Sequence, residues 1–146
     1  MVALRFVDEE NFAQVIELTV AEKDKQFVAS NLRSLADCWL YRENGDVFPY
    51  AIYADDKVVG FALIDVDEEE SCYMIWRFMI DQHQQGKGYG KSAVLALMEH
   101  AKILGSYQTI RADFVKGNQR MEGLLLSLGF TKCGQDDREI FMRRTL

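Results

Sequence analysis

Residues 72–92, CYMIWRFMIDQHQQGKGYGKS, set an apolar run directly before a glycine-rich loop and the start of a helix. Cys72–Ile80 is apolar on both faces apart from Arg77, the pattern of a strand covered on both sides in mid-sheet. The loop Gln85-Gly86-Lys87-Gly88-Tyr89-Gly90-Lys91 leads into a helix with Val94, Leu97, Met98, Ala101 and Leu104 on one side, stopped by Gly105. Glycines allow left-handed backbone angles and let a ligand approach without a Cβ in the way. The helix N-terminus adds unpaired N–H donors and a partial positive charge, and Lys87 and Lys91 add more. This arrangement suits a phosphate or pyrophosphate. A nucleotide P-loop is excluded, because the glycine it needs five positions before Gly90 is Gln85. The dinucleotide pattern GxGxxG also fails, since the glycines fall at 86, 88 and 90.

Around this unit the periodicity predicts a helix capped by Asp8, with Phe12, Val15 and Ile16 on its apolar face. A second helix carries Val28, Leu32, Leu35 and Trp39 toward the core. Tyr50–Ala54 and Val58–Ile64 read as a hairpin, followed by an acidic loop from Asp65 to Glu70. Thr109–Phe114 is a further strand, and Asn118 caps a short helix that ends at Gly129. Thr131–Gln135 and Arg138–Arg143 close the chain as a hairpin. Strands that first meander and then alternate with helices predict a mixed α/β sheet with helices on both faces.

The 146 residues, 49% of them hydrophobic, fit one domain spanning 1–146. A net charge of -6 argues against a nucleic-acid surface and mildly favours a cationic partner. No apolar run reaches membrane-spanning length, and MVALRFVDEENF lacks a signal-peptide layout. Cys38, Cys72 and Cys133 show no paired metal spacing and fit reduced thiols in a cytoplasmic protein. With only His83 and His100 besides, no metal site is expected.

Gln85-Gly86-Lys87-Gly88-Tyr89-Gly90 resembles the Q/R-x-x-G-x-G/A signature of the GNAT superfamily of acetyl-CoA-dependent N-acetyltransferases. The resemblance includes the strand before it and the segment from Asn118 through Met121, Leu124 and Leu125 to Gly129-Phe130. Val58–Ala62 is similar to that family's third strand. The resemblance implies a mostly antiparallel twisted sheet of about six to seven strands. It implies that Gln85 and the amides of Gly86, Lys87, Gly88, Tyr89, Gly90 and Lys91 hold the pyrophosphate of coenzyme A. Phe78, Met79 and Ile80 would pair with the pantetheine arm, with an amide of Met79 or Ile80 polarising the thioester carbonyl. Asn118 would stand near the thiol end, and Met121 would also contact the cofactor.

Two positions depart from the family pattern. The helix tyrosine that often serves as the acid is Leu125 here, and the acidic strand position of polyamine-acetylating relatives is Trp76. Tyr73 and Tyr89 are substitutes that fit packing better, and Asp65, Asp67 and Glu68 to Glu70 could attract a cationic amine. Trp39 and Trp76 are expected in the core. Gln26–Asn31, Ser34–Asp37 and the Arg77–Asp81 strand end resemble the bacterial spermine/spermidine (diamine) branch, which implies a small-molecule amine such as spermidine. The alternatives are another amine (an amino acid, an aminoglycoside, a protein N-terminus) or a coenzyme A-binding regulator. Family members are often homodimers.

Overall fold

The computed structural model describes residues 1–146. Seven strands, β1 (Val2–Phe6), β2 (Val47–Ala54), β3 (Lys57–Asp67), β4 (Cys72–Ile80), β5 (Thr109–Val115), β6 (Thr131–Gln135) and β7 (Glu139–Thr145), form one sheet. Their order is β1-β2-β3-β4-β5-β7-β6, and only the β4–β5 pair is parallel. Helices α1 (Phe12–Glu17) and α2 (Asn31–Leu40) cover one face, and α3 (Tyr89–Leu104) and α4 (Gln119–Ser127) cover the other. The mixed, mostly antiparallel sheet with helices on both faces is therefore the observed architecture.

The larger core lies under α3 and α4, where Leu97 and Leu125 meet Ile52, Ala62, Tyr73 and Ile110 of the sheet. Val94, Leu97, Met98 and Ala101 are buried as the helical spacing predicts, whereas Leu104, in the last turn, is exposed. Tyr73 is fully buried, its hydroxyl 3.0 Å from His100 Nδ1. The smaller core, under α1 and α2, is built from Val15, Ala51, Phe61, Leu63 and Met79.

Four expectations change here. β1 was not anticipated, because in this five-residue edge strand only Val2 and Leu4 reach the larger core, too short an alternation to stand out. The α1 cap position is Asn11 rather than Asp8, whose carboxylate accepts from the Glu10 and Asn11 amides one turn earlier. Of the predicted α1 face only Val15 is buried, and Phe12 and Ile16 are exposed.

The largest change is in α2, which is capped by Ser30 and turns its polar side inward. Asn31, Ser34 and Asp37 are buried, while Leu32 and Trp39 are exposed, Trp39 at 68%. The cause is Arg77 on β4. Its Nη1 lies 2.5 Å from Asp37 Oδ2 and 3.2 Å from Ser34 Oγ, and Arg33 Nε adds a contact at 3.2 Å from the other Asp37 oxygen. A charge brought in by the central strand needs a paired, hydrogen-bonded partner. Burial alone would raise the Asp37 pKa, but hydrogen bonds from Arg77 and then Arg33 hold it below the usual carboxylate range. Leu32, Trp39 and Leu40 consequently face solvent, while Leu35 and Cys38 still pack against the smaller core.

β4 also carries a bulge. Leu63 pairs with Arg77 and Ile64 with Ile75, so Trp76 has no partner on β3. Trp76 is half-buried and packs against the smaller core, with the Arg77 guanidinium 4.5 Å from its ring centroid. Beyond the bulge, Gly60 pairs with Ile80. A Cβ at Gly60 would lie 2.6 Å from the Met79 carbonyl oxygen and 2.7 Å from Ile80 Cδ1. Backbone cannot give way as a side-chain tip does, so Gly60→Ala should cost about 1–3 kcal/mol of stability. Chemical denaturation checks this; an unchanged midpoint would show that β3 and β4 separate freely here.

Candidate active site

β4 and β5 pair only from Cys72–Ile75 to Thr109–Ala112. Past that point β4 stays with β3 through Ile80, and β5 stays with β7 through Val115. The bulge at Trp76 turns β4 where this divergence begins. The two halves of the sheet open around a cleft of about 1150 Å³. Phe78, Met79 and Ile80 form one wall, Asp113 to Val115 the other, and the glycine loop stands at its mouth.

The antiparallel alternation decides which β4 amides face this opening. Asp81 N–H donates to the Val59 carbonyl, and the register runs unbroken from there to Leu63–Arg77. Residues two apart on a strand point their N–H and C=O groups the same way. The groups of Met79 therefore face β3, and those of Phe78 and Ile80 face the cleft. On the cleft side, the Ile80 carbonyl accepts from Gln85 Nε2 at 3.1 Å.

No amide from Gly86 to Lys91 donates a hydrogen bond within the chain. Three of the six belong to the first turn of α3, where free donors are expected. The other three precede the helix, where Gly86 and Gly88 hold φ of +80° and +83° with nothing within 4 Å of a would-be Cβ. A row of donors with open space before it fits an anion. Lys91 and Arg120 line the cleft, while Lys87 Nζ contacts Gln84 Oε1 at 3.0 Å.

Gln85 does more than open the loop. Its amide oxygen accepts from Arg120 Nη1, so one side chain ties the end of β4 to α4. Arg120 went unnoticed in the sequence because it falls in a helix, away from the glycine motif. Asn118 caps α4, its Oδ1 accepting from Met121 N–H at 3.2 Å, and both residues line the cleft. Tyr89 packs against the larger core and also borders the cleft.

The proton-carrying candidates divide sharply. Leu125 and Tyr73 are fully buried, and burial pushes the Tyr73 phenol far above its usual value. The acidic stretch Asp65–Glu70 lines a different groove, of about 970 Å³, with Arg111 and Arg143. It adjoins the opposite end of β4, beside Cys72, and none of its carboxylates borders the cleft. The carboxylates that do are Asp24, Asp113 and Glu139. Asp113 is gripped by Arg111 through two hydrogen bonds, of 2.9 and 2.8 Å.

Residues 4–130 match the acetyltransferase (GNAT) family. The chain belongs to the GNAT acetyltransferase family. A probable spermine N(1)-acetyltransferase of Bacillus subtilis subsp. natto (strain BEST195) is 28% identical over 143 residues, covering 92% of this chain and 90% of that one. Among solved structures, a ribosomal L7/L12 alpha-N-protein acetyltransferase in complex with coenzyme A superposes with a TM-score of 0.81 at 17% identity, covering 99% of this chain and 94% of that one. A spermidine N-acetyltransferase from Vibrio cholerae, in complex with coenzyme A and spermine, gives 0.79 at 11% identity, with 99% and 95% covered. These two share the fold. The GNAT chain is thus an acetyltransferase that draws its acetyl group from acetyl-CoA, and its splayed β4 and open amide row fit that donor.

Proposed function

We propose that this GNAT acetyltransferase acetylates a primary amine of a small polycationic acceptor such as spermidine or spermine. The observation that carries the acceptor is the near full-length similarity to a probable spermine N(1)-acetyltransferase. Three unlike features support the donor site: the unpaired amides, the open edge of β4 and the α4 cap. We read residues 1–146 as one cytoplasmic catalytic domain.

Bound acetyl-CoA supplies a thioester whose acyl carbon is open to an amine. The amides of Gly86, Lys87, Gly88, Tyr89, Gly90 and Lys91 hold the pyrophosphate, helped by the α3 N-terminus and by the charges of Lys91 and Arg120. Phe78 and Ile80 offer their cleft-side N–H and C=O groups to the pantetheine arm as a partner strand would, and the Met79 side chain anchors that strand in the smaller core. The Phe78 amide, nearer the point of divergence, is the donor for the developing oxyanion. A preorganised donor of this kind contributes about 2.7–4 kcal/mol. Gln85 fixes the strand end, and Asn118 with Met121 closes the far side near the thiol.

Release of coenzyme A thiol from acetyl-CoA tests the reading against spermidine, spermine, an aminoglycoside, an amino acid and a serine-terminated peptide. The expected result is the highest kcat/KM for a polyamine. A higher kcat/KM for another amine would overturn the acceptor. Coenzyme A binding without thiol release for any amine would make the chain a cofactor-binding regulator.

A further inference from the structure

We propose that Glu139 is the carboxylate that receives an ammonium group of the acceptor, an inference that rests on the cationic-amine reading above. Glu139 opens β7 and pairs with Val115 of β5. Ile140 and Met142 point into the larger core, so the strand alternation sends Glu139 to the opposite face, the one covered by α1 and α2. It borders the same cleft as Trp76, Arg77 and Phe78, three residues along β5 beyond Ala112, the last residue that β4 pairs.

Its surroundings leave this carboxylate uncommitted. Asp113 is bound by Arg111, and Asp37 by Arg77 and Arg33. The Glu139 side chain is half-buried and makes no hydrogen bond or ion pair within the chain, where only its backbone pairs, with Asp136. The groups that face it are Arg111 and Asp113 from β5 and Asp136 and Arg138 from the turn before β7. Lys23, Asp24 and Lys25, in and after the 22–24 turn, line the same cleft. Burial first, then Asp113 and Asp136, raise its pKa above the ordinary glutamate value, outweighing Arg138 and Arg111. A half-buried carboxylate with no partner is unfavourable alone and gains one when an ammonium enters. Next to Glu139, Arg138 donates to the Gln26 carbonyl at 3.3 Å, tying the start of β7 to the segment after the 22–24 turn.

Glu139→Gln keeps the shape and removes the charge. Its KM for spermidine should rise about tenfold or more, in the range for truncating one member of a partly desolvated charge pair, with kcat less affected. Coenzyme A affinity should stay within about twofold, since Glu139 starts β7, on the β5 side of the cleft, while the phosphate loop follows β4. In the wild type, KM should climb on acidification at a pH above the ordinary glutamate value of about 4.3, and this limb should vanish in Glu139→Gln. Asp24→Asn is the competing variant, and a larger rise in KM there would overturn the assignment. Isothermal titration of spermine into the coenzyme A complex reads the same contact without turnover. Failure of wild-type acetylation would therefore strike the acceptor reading alone. Equal spermine affinity in wild type and Glu139→Gln, or no binding by either, would overturn the role of Glu139.

Discussion

Asp37→Ala lowers stability by about 3–5 kcal/mol, the range for removing one member of a buried ion pair. The Asp37 side chain is 7% exposed and that of Arg77 17%, so the change strands a guanidinium between α2 and β4 with only Ser34 and the Trp76 ring beside it. Arg33 is 68% exposed and loses little, because water replaces its partner. The double variant Asp37→Ala/Arg77→Met recovers a substantial part of the loss, since apolar replacement of both partners removes the uncompensated charge. The pair also has a pH signature. A carboxylate whose folded pKa is depressed contributes stability above its unfolded value of about 3.9, and that contribution is lost as pH falls through the folded value. Urea denaturation of the single and double variants checks both points. A single variant as stable as the wild type would show that Arg77 finds water on leaving Asp37.

Gly88→Asp weakens coenzyme A binding by about 100-fold or more, through a like-charge juxtaposition that costs several kcal/mol. Gly88 sits at φ +83° with free space around a would-be Cβ, so the side chain fits and sets a carboxylate among the amides proposed to hold the pyrophosphate. The left-handed angle adds about 1–2 kcal/mol of backbone strain. Gly45→Asp is the matched control, with φ +72° and equally open surroundings. It carries the same strain and charge but leaves coenzyme A affinity near the wild-type value. Calorimetric titration separates the two variants; equal weakening in both would mean that strain, not charge at the loop, sets the affinity.

The geometry of the glycine loop was legible in the sequence because it is local. An anion-binding turn needs glycines at fixed offsets between a strand and a helix, and residues 72–92 display all of that in one line. The sheet was legible for a similar reason, since buried strands such as Val58–Ile64 and Cys72–Ile80 are continuous apolar runs. The proposed acceptor half is assembled from segments far apart in the chain. The inverted orientation of α2 follows from Arg77, some forty positions away, and periodicity within the helix points to Leu32 and Trp39 instead. A charged residue in an otherwise apolar central strand was the available signal, because it demands a buried acid on whatever packs over it. Glu139 was overlooked because it lies in the last hairpin, yet the alternation Glu139-Ile140-Phe141-Met142 already places it opposite the core side. The acidic run Asp65–Glu70 drew attention as charge alone, and the fold sends it to another groove.

The most direct test is an amide-resolved NMR titration of the protein with coenzyme A. The largest shifts should fall on the free amides of Gly86 to Lys91 and on Phe78 and Ile80, with a smaller change at Met79, whose amide faces β3. Shifts that leave these amides unmoved, or that centre on the acidic groove at Asp65 to Glu70, would contradict the placement of the donor between β4 and β5.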